Sequence, residues 1–567
     1  MDRPRTIANL WRDAVAAAHP EPAYLQEVED EWREVSRAEA ATAVEELANG
    51  LLALGVEKGQ AFAILARTSL EWSLFDFALA LVGAVGAPIY ASSSPRDVHY
   101  VLGHSESVGV LVEDDGQRAK LGGFPGHVIS FSELGALRER GRVYAAEHPG
   151  ALDARADSID EDDLFTFIYT SGTTGPPKAC MIRNRNYYAM VQKGDEMEDR
   201  QANAGDLMLL YLPLAHNYGR LLHLSAAYIG FAIAFLPDPL QAGAELVRVR
   251  PTLFPSVPRV YEKIYTAVQA NFEAQTGVKR KLIDWALRVG YRRSALERAK
   301  KPIPPLLKVQ HAIADKLVYS KVKARLGGRL RTAGAGGAPL SRDIAEFFHA
   351  IDILILEGYG LSEVTTAATV NRLHDYKFGT VGKALPGVEI KIADDGEILL
   401  RSNTVFAGYY RDEEATRATI DDEGFVHTGD VGHLDEDGFL HITDRKKDII
   451  VTAGGKNVAP QNLENELKSH TIVSQALVVG DRKPYIAALV TVDAEATNGM
   501  APDVVHAAVE AAIESVNADR SRFEQIKRFT ILSRDFSLEQ DEVTPTLKLR
   551  RKVILDHFAD DVAELYA

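Results

Sequence analysis

The sequence predicts an α/β protein with a large, multi-subdomain N-terminal region built on parallel sheets, a small antiparallel barrel-like subdomain, and a small α+β domain at the C-terminus. Three observations predict it. Helical patterns alternate with short Val/Ile/Leu/Ala runs through residues 30–110 and beyond, the pattern of buried parallel strands between helices. After about residue 380 the texture changes to two-residue alternation, the mark of antiparallel strands. At 567 residues the chain is also too long for one core, so several subdomains are expected.

The elements follow in order. Residues 45–52 have helical period, and Ala61-Phe62-Ala63-Ile64-Leu65 reads as a strand. Two long apolar stretches, 77–91 and 221–236, need weighing as membrane spans. The first is interrupted by Pro88 and preceded by Asp76, and the second contains His223 and Ser225. Both fall short of the roughly 20 residues a spanning helix needs, so they read as buried helix-and-strand elements. Residues 164–168, 207–212 and 353–356 are apolar strands. Residues 388–392 and 396–400 alternate, and Asp435-Glu436-Asp437-Gly438 is a turn. Strands near 475–479 and 486–492 and helices near 503–517 and 551–565 complete the chain. The expected division is 1–443 and 444–567.

Composition excludes several classes. Hydrophobic residues make up 46% and charged residues 25%, values of a soluble globular protein. A single cysteine, Cys180, rules out an internal disulfide and points to a reducing compartment. The N-terminus has no apolar core of a secretory signal. The expected location is therefore cytoplasmic. The net charge of −16 argues against a nucleic-acid binder. It is unevenly spread: residues 279–331 hold sixteen Lys or Arg and three acids, a local +13. Leu282, Trp285, Leu287 and Val289 interleave those charges at helical spacing. The segment reads either as solvated helices or as a patch for anionic lipid headgroups or the phosphates of CoA, with peripheral membrane contact.

The most informative run is Tyr169-Thr170-Ser171-Gly172-Thr173-Thr174-Gly175-Pro176-Pro177-Lys178. A glycine-rich turn leaving a strand aims successive N–H groups at one point and makes an anion nest. Thr170, Ser171, Thr173 and Thr174 add hydroxyl donors, and Lys178 adds charge, which suits a polyphosphate. The run is not the common nucleotide loop, because Lys178 follows Pro177 and precedes Ala179. It resembles the phosphate-binding signature of the adenylate-forming superfamily, which includes acyl-CoA synthetases, luciferases and adenylation domains. Four further runs resemble that superfamily's motifs in order: Glu357-Gly358-Tyr359-Gly360-Leu361-Ser362-Glu363, His427-Thr428-Gly429-Asp430, Asp444-Arg445-Lys446-Lys447-Asp448, and Thr544-Pro545-Thr546-Leu547-Lys548-Leu549. The spacing is most similar to the long-chain fatty acyl-CoA synthetases.

That resemblance implies ATP and Mg2+ as cofactors, coenzyme A and a fatty acid as co-substrates, and a mobile C-terminal domain. It implies that Glu363, helped by Thr170, holds magnesium. Gly336, Gly337, Ala338, Gly358, Tyr359, Gly360 and Ser362 would receive adenine, and Asp430 with Arg445 the ribose. Lys548 is the expected adenylating lysine and His216 the residue at the carboxylate end of the acyl pocket, with Tyr218, Leu221, Leu222 and Ala226 lining an apolar tunnel. Lys447 matches the hinge, and Gly454 and Gly455 the segment that lines the pantetheine channel. Ala179-Cys180 and Arg183-Asn184 depart from the family pattern and bear on acyl preference. The expected reaction is two-step synthesis of long-chain acyl-CoA. A fatty acyl-AMP ligase serving a carrier protein or an amine stays open, as do an acyl carrier protein and a second copy of the chain as partners.

Overall fold

The computed structural model describes residues 3–170, 176–197, 200–518, 520–544 and 548–567. Two large sheets dominate the N-terminal part. The first has six strands in the order His127–Ser130, Gly109–Val112, Ala61–Leu65, Val85–Ile89, Leu164–Thr170, Lys178–Arg183. Five are parallel, and the last turns back antiparallel. The second has nine strands, from Lys383–Ala384 at one edge to Glu31–Val35 at the other. Its centre, Ile355–Tyr359, Thr332–Ala335, Leu253–Ser256, Leu207–Leu210, Ala232–Phe235 and Tyr24–Val28, is parallel.

Both apolar stretches divide into a buried helix and a buried strand. Helix Leu70–Val82 ends at Gly83 in the left-handed conformation and leads to Val85–Ile89. Helix Asn217–Ile229 ends at Gly230, again left-handed, and leads to Ala232–Phe235. Glycine supplies positive φ at both stops without a steric cost. No helix among the described residues is long and apolar enough to cross a membrane.

The antiparallel subdomain is a four-stranded sheet, Glu389–Ile392, Glu397–Arg401, Val426–Leu434 and Leu440–Arg445. The turn at 435–438 closes with the Gly438 N–H donating to the Asp435 carbonyl at 2.9 Å. Beyond it a separate core starts at Ile450. It sits on strands Val473–Val479, Ile486–Val492 and Ile526–Ile531, covered by helices Pro460–Lys468 and Pro502–Asn517. The expected helix over 551–565 is two, Arg551–His557 and Ala559–Glu564, broken at Phe558.

The basic segment is helical. Helix Gly277–Arg298 buries Ile283, Ala286, Val289 and Gly290, while Leu282, Trp285 and Leu287 are half-buried. Helix Pro305–Ala314, a wide turn Asp315–Tyr319 and helix Ser320–Arg325 follow.

Candidate active site

Three loops leave the carboxyl ends of parallel strands and meet at one cleft, the position at which open α/β sheets bind ligands. Thr170, Pro176, Pro177 and Lys178 line it from the first sheet. The loop after Leu207–Leu210 carries His216, that after Thr332–Ala335 carries Gly336, Gly337 and Ala338, and that after Ile355–Tyr359 carries Gly360, Ser362 and Glu363. The four-stranded sheet and the C-terminal domain close the cleft with Asp430, Arg445, Lys447 and Lys548. Its volume is about 2430 Å³.

Thr170 and Lys178 face each other across the antiparallel pair that frames the phosphate-type loop. Ser171, Gly172, Thr173, Thr174 and Gly175 lie outside the described residues. The Lys178 ammonium is 3.6 Å from the Asp412 carboxylate and 5.1 Å from the centre of the Tyr409 ring. The Tyr409 hydroxyl donates to Glu363 Oε1 at 2.6 Å. Glu363 Oε2 has no hydrogen-bond partner among the described residues.

The turn around Glu363 is strained. Thr365 and Thr366 have φ of 54° and 94°, uncommon for β-branched residues. Their hydroxyls donate to the carbonyls of Thr404 at 2.6 Å and Asn217 at 3.3 Å, contacts that hold the strained backbone. Gly360 is required here, because a Cβ would stand 1.9 Å from the Thr366 carbonyl oxygen.

Asp430 is buried in strand Val426–Leu434, directly opposite Arg445. Its carboxylate accepts from the Tyr359 hydroxyl at 2.7 Å and pairs with Arg445 Nε at 3.0 Å. Both oxygens are thus held in place before any ligand arrives. On the opposite wall the Tyr218 ring lies against the glycine run, so that a Cβ on Gly336 would be 3.3 Å from it.

His216 caps helix Asn217–Ile229, its Nδ1 accepting from the Tyr218 N–H at 3.1 Å. Burial, with repulsion from Lys548 added, pushes its pKa down to about 3, so the ring is neutral at physiological pH. Lys548 is an exposed residue at the cleft, yet protein crowds its ammonium. Desolvation lowers its pKa to about 8, with Arg445 adding repulsion and Asp430 and Glu363 opposing. Pro545, Thr546 and Leu547, before it, lie outside the described residues.

Gly454 and Gly455 are not brought to the cleft. They form the exposed turn of a hairpin between Ile450–Val451 and Asn457–Val458. Lys447 occupies a turn closed by the Asp448 N–H donating to the Arg445 carbonyl at 2.9 Å.

An apolar arm of the cleft runs between helices Asn184–Glu196 and Asn217–Ile229. Met190, Val191, Met197, Leu221, Leu222 and Ile229 line it. Ala226 does not: it faces the core at 2% exposure, and Ser225 takes the wall position. The wall follows 218, 221, 222, 225 and 229, one face of a helix.

The sequence profile of the AMP-binding enzymes matches residues 11–410, and that of the AMP-binding enzyme C-terminal domain matches 447–567. The chain belongs to the AMP-binding enzyme family. It is 39% identical over 579 residues to the long-chain-fatty-acid–CoA ligase FadD15 of Mycobacterium bovis, covering 96% of this chain and 94% of that one. It is 30% identical over 600 residues to the long-chain-fatty-acid–CoA ligase ACSBG1 of Rattus norvegicus, covering 95% and 82%. Its fold matches the adenylation domain of a carboxylate reductase from Mycobacterium chelonae, with a TM-score of 0.79, 23% identity, and 99% and 91% of the two chains covered.

Several residues in or beside the cleft of this AMP-binding enzyme carry no signal in the family motifs. Tyr409 and Asp412 are an aromatic and an acid in a loop, and their contacts to Glu363 and Lys178 come from backbone pairing of Cys180 with Tyr409. Glu357 heads a motif run, yet its position there assigns it no role. It is 4% exposed, accepts from the Leu340 N–H at 3.1 Å, and burial raises its pKa to about 8. The departures Ala179 and Cys180 are fully buried and do not line the cleft. Asn184 accepts from the Ile7 N–H at 3.0 Å, tying the N-terminal helix to the strand end.

Proposed function

We propose that this chain is an AMP-forming long-chain fatty acid–CoA ligase. The observation that carries the reading is that the Lys548 ammonium shares one cleft with Asp430, Glu363 and His216, and that the cleft continues into an apolar arm. In the first half-reaction a carboxylate oxygen of the fatty acid attacks the α-phosphorus of ATP. The bond to pyrophosphate breaks and acyl-AMP forms. In the second, the thiol of CoA loses its proton, its sulfur attacks the acyl carbonyl, and AMP leaves.

Catalysis of such steps is positioning and charge neutralisation. Thr170 and Lys178 face the phosphates, Asp430 the ribose hydroxyls, and Tyr359 with Gly336 and Gly337 the adenine. Lys548 stands where carboxylate and α-phosphate approach, and its ammonium offsets the charge that accumulates there. A neutral His216 at the mouth of the apolar arm admits a carboxylate without binding it as a fixed ion pair.

Magnesium fits this site. No cluster of three or more His, Cys, Asp or Glu exists to cage a metal among the described residues, and magnesium takes few protein ligands beside phosphates and water. Glu363 has one uncommitted oxygen to offer, with Thr170 near the phosphates. The metal, when bound, offsets charge on the polyphosphate.

AMP formation measured with and without CoA across a series of acid chain lengths tests the proposal. AMP release should require CoA and favour long chains. AMP release without CoA, or a preference for short acids, overturns it. The carrier-protein alternative predicts acyl-AMP and pyrophosphate with no AMP released on adding CoA, an outcome that also overturns the proposal, and the ligase names of the relatives do not favour it.

A further inference from the structure

The segment 299–331 holds nine Lys or Arg and one acid, Asp315. Folding separates its residues by role. Leu307, His311, Ala314, Val318, Tyr319 and Val322 are buried. Tyr319 donates to the Ala286 carbonyl of the neighbouring helix. The opposite side of the helix carries Leu306, Val309, Ile313 and Leu317, exposed by 70%, 58%, 47% and 40%. Eighteen large hydrophobic side chains are exposed among the described residues. Four of them falling on one face within twelve residues is not scatter. Single exposed apolar residues need no explanation, whereas a contiguous stripe marks an interaction surface.

The cations divide too. Lys323 is held by Asp315 and Asp352, and Arg331 by Asp206. Arg293, on the preceding helix, is committed to Glu297, Asp352 and His311. Lys301, Lys308, Lys316, Lys321, Arg325 and Arg329 are exposed and make no ion pair among the described residues. Lys308 and Lys316 stand between the stripe residues in sequence. A helix with an apolar stripe and flanking lysines lies in the plane of a membrane interface, the stripe among acyl chains and the lysines at headgroups.

We propose that the helical face of Leu306, Val309, Ile313 and Leu317, with Lys308, Lys316 and Lys321, docks on an anionic lipid bilayer. A second copy of the chain is the poorer occupant. A two-fold interface would place this strongly basic face against itself, and like charges across an interface oppose association. Nucleic acid gives the apolar stripe no partner. The assignment goes beyond the ligase reading, since it concerns where the enzyme meets its substrate.

The test is cosedimentation of the full chain with vesicles of phosphatidylglycerol and phosphatidylcholine, and with phosphatidylcholine alone, at low and high salt. Two variants accompany it: Leu306→Ser with Val309→Ser and Ile313→Ser, and Lys308→Glu with Lys316→Glu and Lys321→Glu. All six side chains are exposed, so the fold is kept; turnover of a soluble short acid by both variants checks this. The expected result is binding to the anionic vesicles that weakens with salt and falls at least tenfold in each variant. Absent or salt-insensitive binding, equal binding to neutral vesicles, or unchanged binding in either variant overturns the proposal. So does a fall in molecular mass by light scattering in the apolar variant, which would make the face a self-interface. A raised KM for CoA in the charge variant would assign the cations to CoA phosphates and overturn it equally. Failure of the ligase reading would leave the vesicle result as it is, so the two are distinguishable.

Discussion

Lys548 shows what a single residue contributes and how its setting changes it. An ordinary lysine keeps its charge to about pH 10. Here the pKa is lowered to about 8, so the protonated fraction, which the proposed role in the first half-reaction uses, is lost as pH rises through 8. ATP–pyrophosphate exchange should therefore decline above about pH 8, and the decline should vanish in Lys548→Arg, whose charge persists. A wild-type profile flat to pH 10 would contradict this. His216, neutral from about pH 3 upward, should add no inflection near 6.5. Lys548→Ala should abolish acyl-AMP formation while conversion of supplied acyl-AMP to acyl-CoA survives; equal loss of both steps removes the assignment. The same scale holds a second expectation. Tyr409→Phe removes the hydrogen bond that aims Glu363, a charge-assisted bond whose loss corresponds to about tenfold in rate. The loss should appear in exchange and in the magnesium requirement, with KM for the fatty acid unchanged. A changed fatty-acid KM with an unchanged magnesium requirement would make Tyr409 a packing residue. The motif residues at this scale were legible in the sequence. The partners that orient them were not, because Tyr409 and Asp412 reach Glu363 and Lys178 through strand pairing between distant segments.

At the scale of elements, the helix Asn217–Ile229 decides where the apolar arm runs, and a buried charge cluster anchors it. Arg220 and Asp76 are both fully buried and paired through two guanidinium nitrogens. Arg220 also donates to Thr166 at 2.6 Å and lies 4.5 Å from the Phe165 ring centre. Three elements, helix Leu70–Val82, strand Leu164–Thr170 and helix Asn217–Ile229, are thereby locked together. Removing one partner leaves an uncompensated buried charge, which costs about 3–5 kcal/mol. Asp76→Ala should lower urea resistance by that order, whereas Asp76→Leu with Arg220→Met should recover most of it. A loss below about 1 kcal/mol for Asp76→Ala, well under that range, would show that the cluster anchors nothing. In the sequence Asp76 and His223 argued only against membrane spans. Apolar periodicity located both helices and both following strands, but it has no means of pairing a charge in one helix with a charge in another.

The whole molecule is captured with the C-terminal domain turned so that Lys548 faces the cleft and the glycine hairpin faces away. Arg259 Nη2 donates to Ser474 Oγ at 2.7 Å, and Lys468 pairs with Glu262 at 3.3 Å, contacts that hold the domains in this arrangement. The role proposed for Lys548 requires it to leave the cleft for the second half-reaction, and a rotation that moves it must be absorbed by backbone torsions at very few residues. The N–H of Lys447 donates no hydrogen bond among the described residues, so proline there removes none. It fixes φ near about −65°. Lys447→Pro should separate the half-reactions, with one of exchange and thioester formation persisting and the other falling by orders of magnitude. Near-normal rates for both would place the hinge elsewhere.

Read from residues alone, the chain already shows the motifs by which it resembles its family. The polyphosphate-type run, the acids, the lysines and their order are local patterns, and local patterns survive translation into a linear string. The same holds for the parallel α/β core and the antiparallel region after 380, since burial on two faces or one leaves its own periodicity. Folding settled what no string contains. It placed Lys548 beside His216 and Asp430 while leaving Gly454 and Gly455 outside. It took Ala179, Cys180 and Asn184 into the packing and away from the apolar arm. It also spent Arg293 and Lys323 on buried-side ion pairs and left Lys308, Lys316 and Lys321 open beside an apolar stripe. Each of these depends on contacts between segments far apart in the chain, which are fixed by sheet register and domain docking.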